Sequence, residues 1–478
     1  MTRKQQLLCA VIFSLILTVP VGCTLGPDYQ RPELDIPDNY RETSSWQEAV
    51  PADAISKGPW WEIYQDPALN TLQEQALSAN QTLQAAVARV SQARAVARIS
   101  EADRYPRLDL DPSAQRSRLP ADLNGGRGMT TTTLRVPFDL NYEIDLWGRV
   151  RRTIEADQAS YAASQADLQN VLLTLQADLA RNYFTFRILD KQVDLLQRTT
   201  ALRQKNLQLV TSLYENGQVG RLDVARAETE LANAQADLAA LKRLRASTEH
   251  ALAVLVGEPV AAFKRPATRD DFAIKPPLVE VGLPAKLLER RPDIAAAERQ
   301  MMAANARIGV AETAFFPAIS LTGAAGYASD ELRSLFDWDN RAWALGPFLS
   351  LPIFDGGRNQ ARLAFSEAAW QESVATYRQQ ILNAFREVED ALSDIRILEE
   401  QAEAQQRALA AAREAADLSA KRYRAGIVSY LEVVVSERTA LATELLATRV
   451  YGERLQASVS LIKALGGGWQ TPDAGAPD

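Results

Sequence analysis

The thiol of Cys23 is the side chain in this sequence with the clearest chemistry to perform. It follows Val21-Gly22 at the end of an apolar run, Leu7 to Val19, which itself follows Arg3-Lys4. A basic start, a short apolar stretch and small residues before the cut describe an export leader too short for a comfortable membrane span. With a cysteine at the cut, the pattern is that of a bacterial lipobox, in which the thiol is acylated and becomes the first residue. Pro20 stands where Leu is usual, and an ordinary signal peptide with an incidental cysteine is the alternative. Cys9 would leave with the leader, so the mature chain keeps one cysteine and no internal disulfide.

Other chemistry is scarce. His250 is the single histidine, which excludes His-based metal clusters and leaves one residue on which any Ser/His/Asp triad would have to be built. It lies in a helical stretch and reads as structural. Arg290-Arg291-Pro292-Asp293 has the charge for a phosphate clamp, but Pro followed by Asp suits a helix start better. No nucleotide-binding glycine loop occurs. Four methionines leave no thioether cluster for a soft metal. Loss of Arg3 and Lys4 with the leader moves the formal charge from −7 to −9, which disfavours nucleic acid as a partner. The expectation is no enzyme, no metal and no cofactor beyond a covalent lipid on Cys23.

The elements behind these residues are written twice. At 478 residues, 47 % hydrophobic and 24 % charged, the composition is ordinary for a folded protein. Leu140-Asn-Tyr-Glu-Ile144 matches Leu349-Ser-Leu-Pro-Ile353, and Gly148-Arg149 matches Gly357-Arg358, at an offset of 209. Tyr214-x-x-Gly217 and Leu222-Asp223-Val224 recur as Tyr423-x-x-Gly426 and Leu431-Glu432-Val433 at the same offset. A period that long is a duplicated domain, not a solenoid unit. The expected organisation is a signal peptide over 1–22, an acylated segment over 23–65, repeat 1 over 66–257, a linker over 258–283, repeat 2 over 284–466 and a tail over 467–478.

Each repeat contains 68 residues without Gly or Pro, Arg149 to Asn216 and Arg358 to Ala425, enough for roughly 100 Å of helix. Leu168, Leu172, Leu175, Leu179, Asn182, Phe186, Leu189, Val193 and Leu196 step by four and three. Tyr377, Ile381, Ala384, Val388, Ala391, Ile395, Leu398 and Ala402 do likewise, as coiled-coil seams do. Asn182 reads as a partnered or register-setting polar residue. In Thr133–Asp145 the period changes to two: Leu134, Val136, Phe138, Leu140, Tyr142 and Ile144 face one way, and Arg135, Asp139, Asn141, Glu143 and Asp145 the other. Trp343, Leu345, Leu349, Leu351 and Ile353 take the equivalent places in repeat 2. Leu108 and Leu110, then Ile319 and Leu321, begin weaker strands, with Leu123–Met129 and Asp330–Asn340 as the hairpin loops. Strands with one apolar face suit either a soluble sandwich or a membrane barrel. Four strands cannot close a barrel, so a membrane role requires several copies to share one.

The chain resembles the outer-membrane factors of bacterial tripartite efflux pumps, the TolC/OprM-like superfamily, and within it the lipoprotein branch. The resemblance rests on Cys23-Thr-Leu-Gly-Pro-Asp-Tyr-Gln-Arg-Pro32, Trp60-Trp61 with Asp66-Pro67, and Tyr142-Glu-Ile-Asp-Leu-Trp-Gly-Arg149. Leu288-Glu-Arg-Arg-Pro-Asp-Ile294, Ala306-Arg-Ile-Gly309 and Phe316-Pro317 complete it. It implies an α+β, mainly α fold: a tandem-repeat α-barrel of long helices, and four strands given to a shared trimeric twelve-stranded transmembrane β-barrel. It implies a homotrimer in the bacterial outer membrane reaching into the periplasm, partnered by a periplasmic adaptor and an inner-membrane transporter. Trp60 and Trp61 would pack in the equatorial region, with interfacial anchoring as the alternative.

The resemblance also assigns the turns at Gly217 and Gly426, with Val219 and Val428, to a periplasmic tip where the adaptor docks. Tyr423 and Asp223 match positions that bond between the repeats in closed tips, while Val428 replaces an Arg that would bond second. Leu431 and Val435 match ring positions of the gate, and Val435 stands where Asp is usual, so Glu432 is the candidate for charge. The expectation is a mostly closed, weakly cation-preferring duct that performs no chemistry. Export of proteins or oligosaccharides, and a periplasmic coiled-coil scaffold lipoprotein, remain as alternatives at this point.

Overall fold

The computed structural model describes residues 24–33, 40–43, 59–120, 125, 128–265, 274 and 291–467. Cys23, Arg290 and most of the 258–283 linker lie outside them. The structure is mainly helical with one antiparallel sheet, and it falls into two compact units. One draws on Met1–Glu33, Arg89–Gln165 and Ala296–Arg378, the other on Leu34–Ala88, Ala166–Ala295 and Gln379–Asp478.

The first unit holds the sheet. Its strands are β1 (Arg107–Leu110), β2 (Ser113–Leu119), β3 (Met129–Glu143), β4 (Ala318–Ser329) and β5 (Arg341–Ser350). β1 and β2 lie end to end on the same partner: Leu108 pairs Leu140, and Ala114 pairs Leu134. The break between them falls at Asp111-Pro112, where proline has no N–H to give the ladder. Five strands therefore fill four strand positions, in the order β1/β2, β3, β4, β5.

Register shows that the alternation converges on one face. Phe138 pairs Ala325, which pairs Trp343; Leu140 pairs Gly323, which pairs Leu345; Tyr142 pairs Leu321. Directly paired residues share a face, so Leu108, Leu110, Phe138, Leu140, Ile319, Leu321, Trp343, Leu345 and Leu349 lie together. Arg107, Asp109, Arg135, Asp139, Asn141, Glu143 and Thr322 lie on the other. Trp343 is 80 % exposed on the apolar face. Leu351 and Ile353 correct the expected strand: β5 ends at Ser350, because Pro352 cannot extend the ladder. The Asp330–Asn340 loop contains two single 3-10 turns, Leu332–Ser334 and Trp338–Asn340.

The segment from Leu25 to Arg31 is strapped onto this unit. Arg152 donates to the Leu25 and Gly26 carbonyls at 2.9 and 3.0 Å, and Asn305 donates to the Pro27 carbonyl at 2.8 Å. Arg31 forms a two-pronged pair with Glu298. A side chain at Gly309 would strike the Leu25 carbonyl, which explains the glycine in Ala306-Arg-Ile-Gly309.

Among the described residues the α-helices are α1 (Pro67–Ala79), α2 (Gln81–Ala102), α3 (Arg149–Glu215), α4 (Arg221–Leu255), α5 (Pro292–Thr313), α6 (Arg358–Arg424) and α7 (Tyr430–Ala464). In the second unit, Asp66 caps α1 by accepting from the Ala68 amide at 2.9 Å. α3 buries a wider stripe than one heptad seam, because Ala177, Ala180, Tyr183 and Phe184 are buried beside Leu175, Leu179 and Phe186. Asn182 donates to the Asp178 carbonyl of its own helix at 2.8 Å and so sets no register across a seam. Trp60 and Trp61 are buried, and the Trp60 indole donates to Gln176 at 3.0 Å, which bears out the packing role.

Arg291 is buried at the start of α5, where it binds Asp293, Glu387 on α6 at 2.7 Å, and the last carbonyl of α7, Ala464, at 3.0 Å. Burial alone would raise the Asp293 carboxyl; bonds and charge from Arg291, with help from Gln380 and the Ile294 amide, hold it below its ordinary value. The motif is a structural pin, as the helix-start reading expects. His250 lies on an exposed face of α4.

Candidate functional site

The residues singled out at the two glycine turns meet at one place in the second unit. α3 and α6 both end in a Schellman closure, in which a left-handed residue lets the last carbonyls be capped from within. Gly217 has φ +71° and Gly426 φ +75°. Gln218 donates to the Leu213 carbonyl at 2.8 Å and Ile427 to the Arg422 carbonyl at 2.9 Å. The repeats thus build identical turns from their matched glycines.

Behind the turns sits one apolar cluster drawn from both repeats. Val210 on α3, Val224 and Ala227 on α4, and Tyr430, Val433 and Val434 on α7 are buried together, with Leu207, Val219 and Tyr423 packed on them. The period of α7 explains the split between faces: Val433 and Val434 turn inward, while Leu431, Glu432 and Val435 turn out to solvent. Val428 is half-buried in the turn itself.

Leu431, Glu432 and Val435 line an open groove of about 610 Å³ between α6 and α7, with Leu418, Ser419, Arg422, Ser429 and Ser436. Glu432 faces Arg422 at 3.4 Å, an exposed pair that contributes little to stability. The Ser419 and Ser436 hydroxyls bond each other at 2.8 Å across the groove.

Tyr423 and Asp223 are neighbours without being bonded. Burial, and then the Asp223 charge, raise the Tyr423 hydroxyl above its ordinary pKa. Yet that hydroxyl has no hydrogen bond among the described residues, and Asp223 is taken by Arg226 at 3.3 Å, one turn along α4. The Tyr423 ring packs on Tyr430 at 5.6 Å. The bond between repeats implied by the resemblance is therefore absent in this conformation.

Sequence reasoning missed the polar layer beside the cluster, where Arg203 on α3 and Glu230 on α4 are both buried and paired at 3.1 Å. An Arg and a Glu at seam-like positions were its only signal. Among the described residues no group of His, Cys, Asp and Glu could hold a metal, and no helix is long and apolar enough to cross a membrane.

The family model described as "Outer membrane efflux protein" matches residues 72–258 and 283–467. The chain is 33 % identical over 462 residues to the cation efflux system protein CusC of Escherichia coli, covering 97 % of this chain and 99 % of that one. It is 35 % identical over 461 residues to the toluene efflux pump outer membrane protein TtgI of Pseudomonas putida, covering 94 % and 96 %. Its fold matches the solved outer-membrane channel OprN with a TM-score of 0.87 at 32 % identity, over 94 % of this chain and all of that one.

Proposed function

The chain belongs to the outer membrane efflux protein family, and from that premise we propose how its parts divide the work. It is the outer-membrane channel component of a tripartite efflux pump, a transport duct and not an enzyme. The observation that carries the finer reading is the sheet. Four strand positions share one apolar face and one polar face, and β1/β2 and β5 form its outer edges. In lipid, unpaired backbone groups cost several kcal/mol each, so open edges must find partners. Three chains supply twelve strand positions, which close as one barrel with apolar residues toward lipid and charged residues toward water.

In this reading the homotrimer is held to the outer membrane also by lipid on Cys23. The paired turns at Gly217–Val219 and Gly426–Val428 meet the periplasmic adaptor. Three copies of Leu431 close the resting duct, with Glu432 setting the charge at the entrance and Val435 leaving the next level apolar. The inner-membrane transporter supplies energy and selects the cargo, which we take to be small molecules. One relative bears a cation-efflux name and another a toluene-efflux name, both matched along nearly their full length. That spread favours selection elsewhere in the pump. Export of proteins or oligosaccharides is the reading that cargo assays would distinguish.

Crosslinking in outer-membrane fractions tests the assembly: a trimer is expected as the dominant product. A monomer fully soluble after lysis would overturn the shared barrel. Cys23→Ser should abolish lipid attachment and lipoprotein-type cleavage while sparing part of the transport, and unchanged mass and processing would remove the lipid from the reading.

A further inference from the structure

Beside the tip cluster, α3, α4 and α7 bring an unbalanced set of charges under cover. The Arg203 guanidinium is committed to α4: it donates to the Glu230 carbonyl at 2.7 Å and lies 3.1 Å from the Glu230 carboxylate. The other Glu230 oxygen faces Arg438 of α7 at 3.8 Å, a guanidinium that is mostly in solvent. Glu437, next to Arg438 on α7, is a second, half-buried carboxylate at the same spot. Its hydrogen bond comes from the Asn206 amide of α3 at 3.5 Å, at the outer limit for such a bond. One buried cation thus serves two carboxylates, and among the described residues its ion pair is with Glu230 alone.

The remaining titratable groups around this spot are Tyr430 on α7 and Tyr423 on α6. Burial first, then Glu437 among its neighbours, pushes Tyr430 up to about 12, and Tyr423 is also raised, so neither hydroxyl ionises near neutrality. The carboxyl whose proton is held above its ordinary range here is that of Glu437.

We infer that Glu437 is a proton-dependent clasp: neutral, it packs α7 against α3 and α4, and ionised, it sets two carboxylates against one buried cation and loosens α7. The inference rests on the reading of α7 as the helix that bears the gate. Burial, together with Glu230, raises the Glu437 carboxyl more than Arg203 and Asn206 lower it. A carboxyl that holds its proton more tightly when packed than when released favours packing in acid. That contribution is complete below the ordinary carboxylate value of 4.5 and is lost as pH rises through the raised one. Acid therefore keeps the tip shut, and rising pH relaxes it.

The test uses the assembled channel in planar bilayers from about pH 4.5 to about pH 8.5. Open probability of the wild type should rise roughly three- to tenfold across that range. Glu437→Gln, which keeps the shape of the neutral acid, should stay closed with a flat profile. A flat wild type, or the same slope in both proteins, would overturn the clasp. Hydrogen exchange of the Tyr430–Glu437 segment, corrected for intrinsic pH dependence and compared with Glu437→Gln, reads the clasp without reference to the gate; acid should protect that segment in the wild type alone. If Leu431→Ala opens the channel while the two pH slopes coincide, the gate stands and the clasp falls. If Leu431→Ala changes nothing, the gate placement falls, and the exchange comparison still decides the clasp.

Discussion

The two tip turns share a backbone and differ in what they bury. Both close on a left-handed glycine with the same pair of capping bonds. At the offset of 209, Val210 of α3 corresponds to Ser419 of α6, and Ala227 of α4 to Ser436 of α7. Val210 and Ala227 are buried in the apolar cluster, whereas the two serines bond each other beside an open groove. Both hairpins feed the apolar cluster, but where the first places Val210 and Ala227, the second places a hydroxyl pair that is buried at Ser419 and half-buried at Ser436. The duplication has kept the fold of the turn and changed the chemistry at two matched positions, from an apolar pair to a hydroxyl pair.

The sharpest way to break this comparison is to cut the same leucine from both hairpins. Leu431→Ala should raise single-channel conductance and antibiotic leakage severalfold, while Leu222→Ala, its counterpart on α4, should leave both near wild type. Equal effects would mean that the hairpins do not differ in role. The turns themselves should respond alike: Gly217→Val and Gly426→Val each force a branched side chain into the left-handed region, at a cost of about 1–2 kcal/mol. Thermal unfolding of the assembled channel should show two similar losses. Making the second tip resemble the first is the subtler test. Ser419→Val with Ser436→Ala removes both members of the hydroxyl pair and adds apolar contact, for a gain of about 1 kcal/mol and a lower open probability. The smallest effect belongs to charge. Glu432→Ala should mainly reduce cation preference and Val435→Asp should strengthen it, both read as reversal potentials in a salt gradient, because an exposed carboxylate near 3.4 Å from Arg422 steers ions more than it holds structure.

What the sequence discloses here is whatever repeats or has a period. The two Gly- and Pro-free runs are helices over nearly their full length, and the alternation around Leu134–Tyr142 places those side chains on one face of β3. The turn glycines are legible because a left-handed residue is needed where a helix reverses. Contacts between residues far apart in the chain leave no such mark. Arg203 of α3 meets Glu230 of α4, and Asn206 of α3 meets Glu437 of α7, and nothing local announces either pair. The heptad seam of α3 is real but too narrow, because a helix with neighbours on several sides also buries Tyr183 and Phe184. Asp223 and Tyr423 show the opposite failure: a motif suggests a bond, and a nearer arginine takes the acid.

The lengths of the long helices carry a consequence of their own. α3 and α6 are each 67 residues, and α4 and α7 are each 35. A helix is a screw as well as a rod, so removing one residue withdraws its end by about 1.5 Å and turns everything beyond by roughly 100°. Such a turn at α6 would swing the face that carries Ser419 and Tyr423 away from its neighbours, whatever the chemistry of the residue lost. The count of residues in each long helix is therefore as strict a constraint as the identity of the side chains that pack at its end.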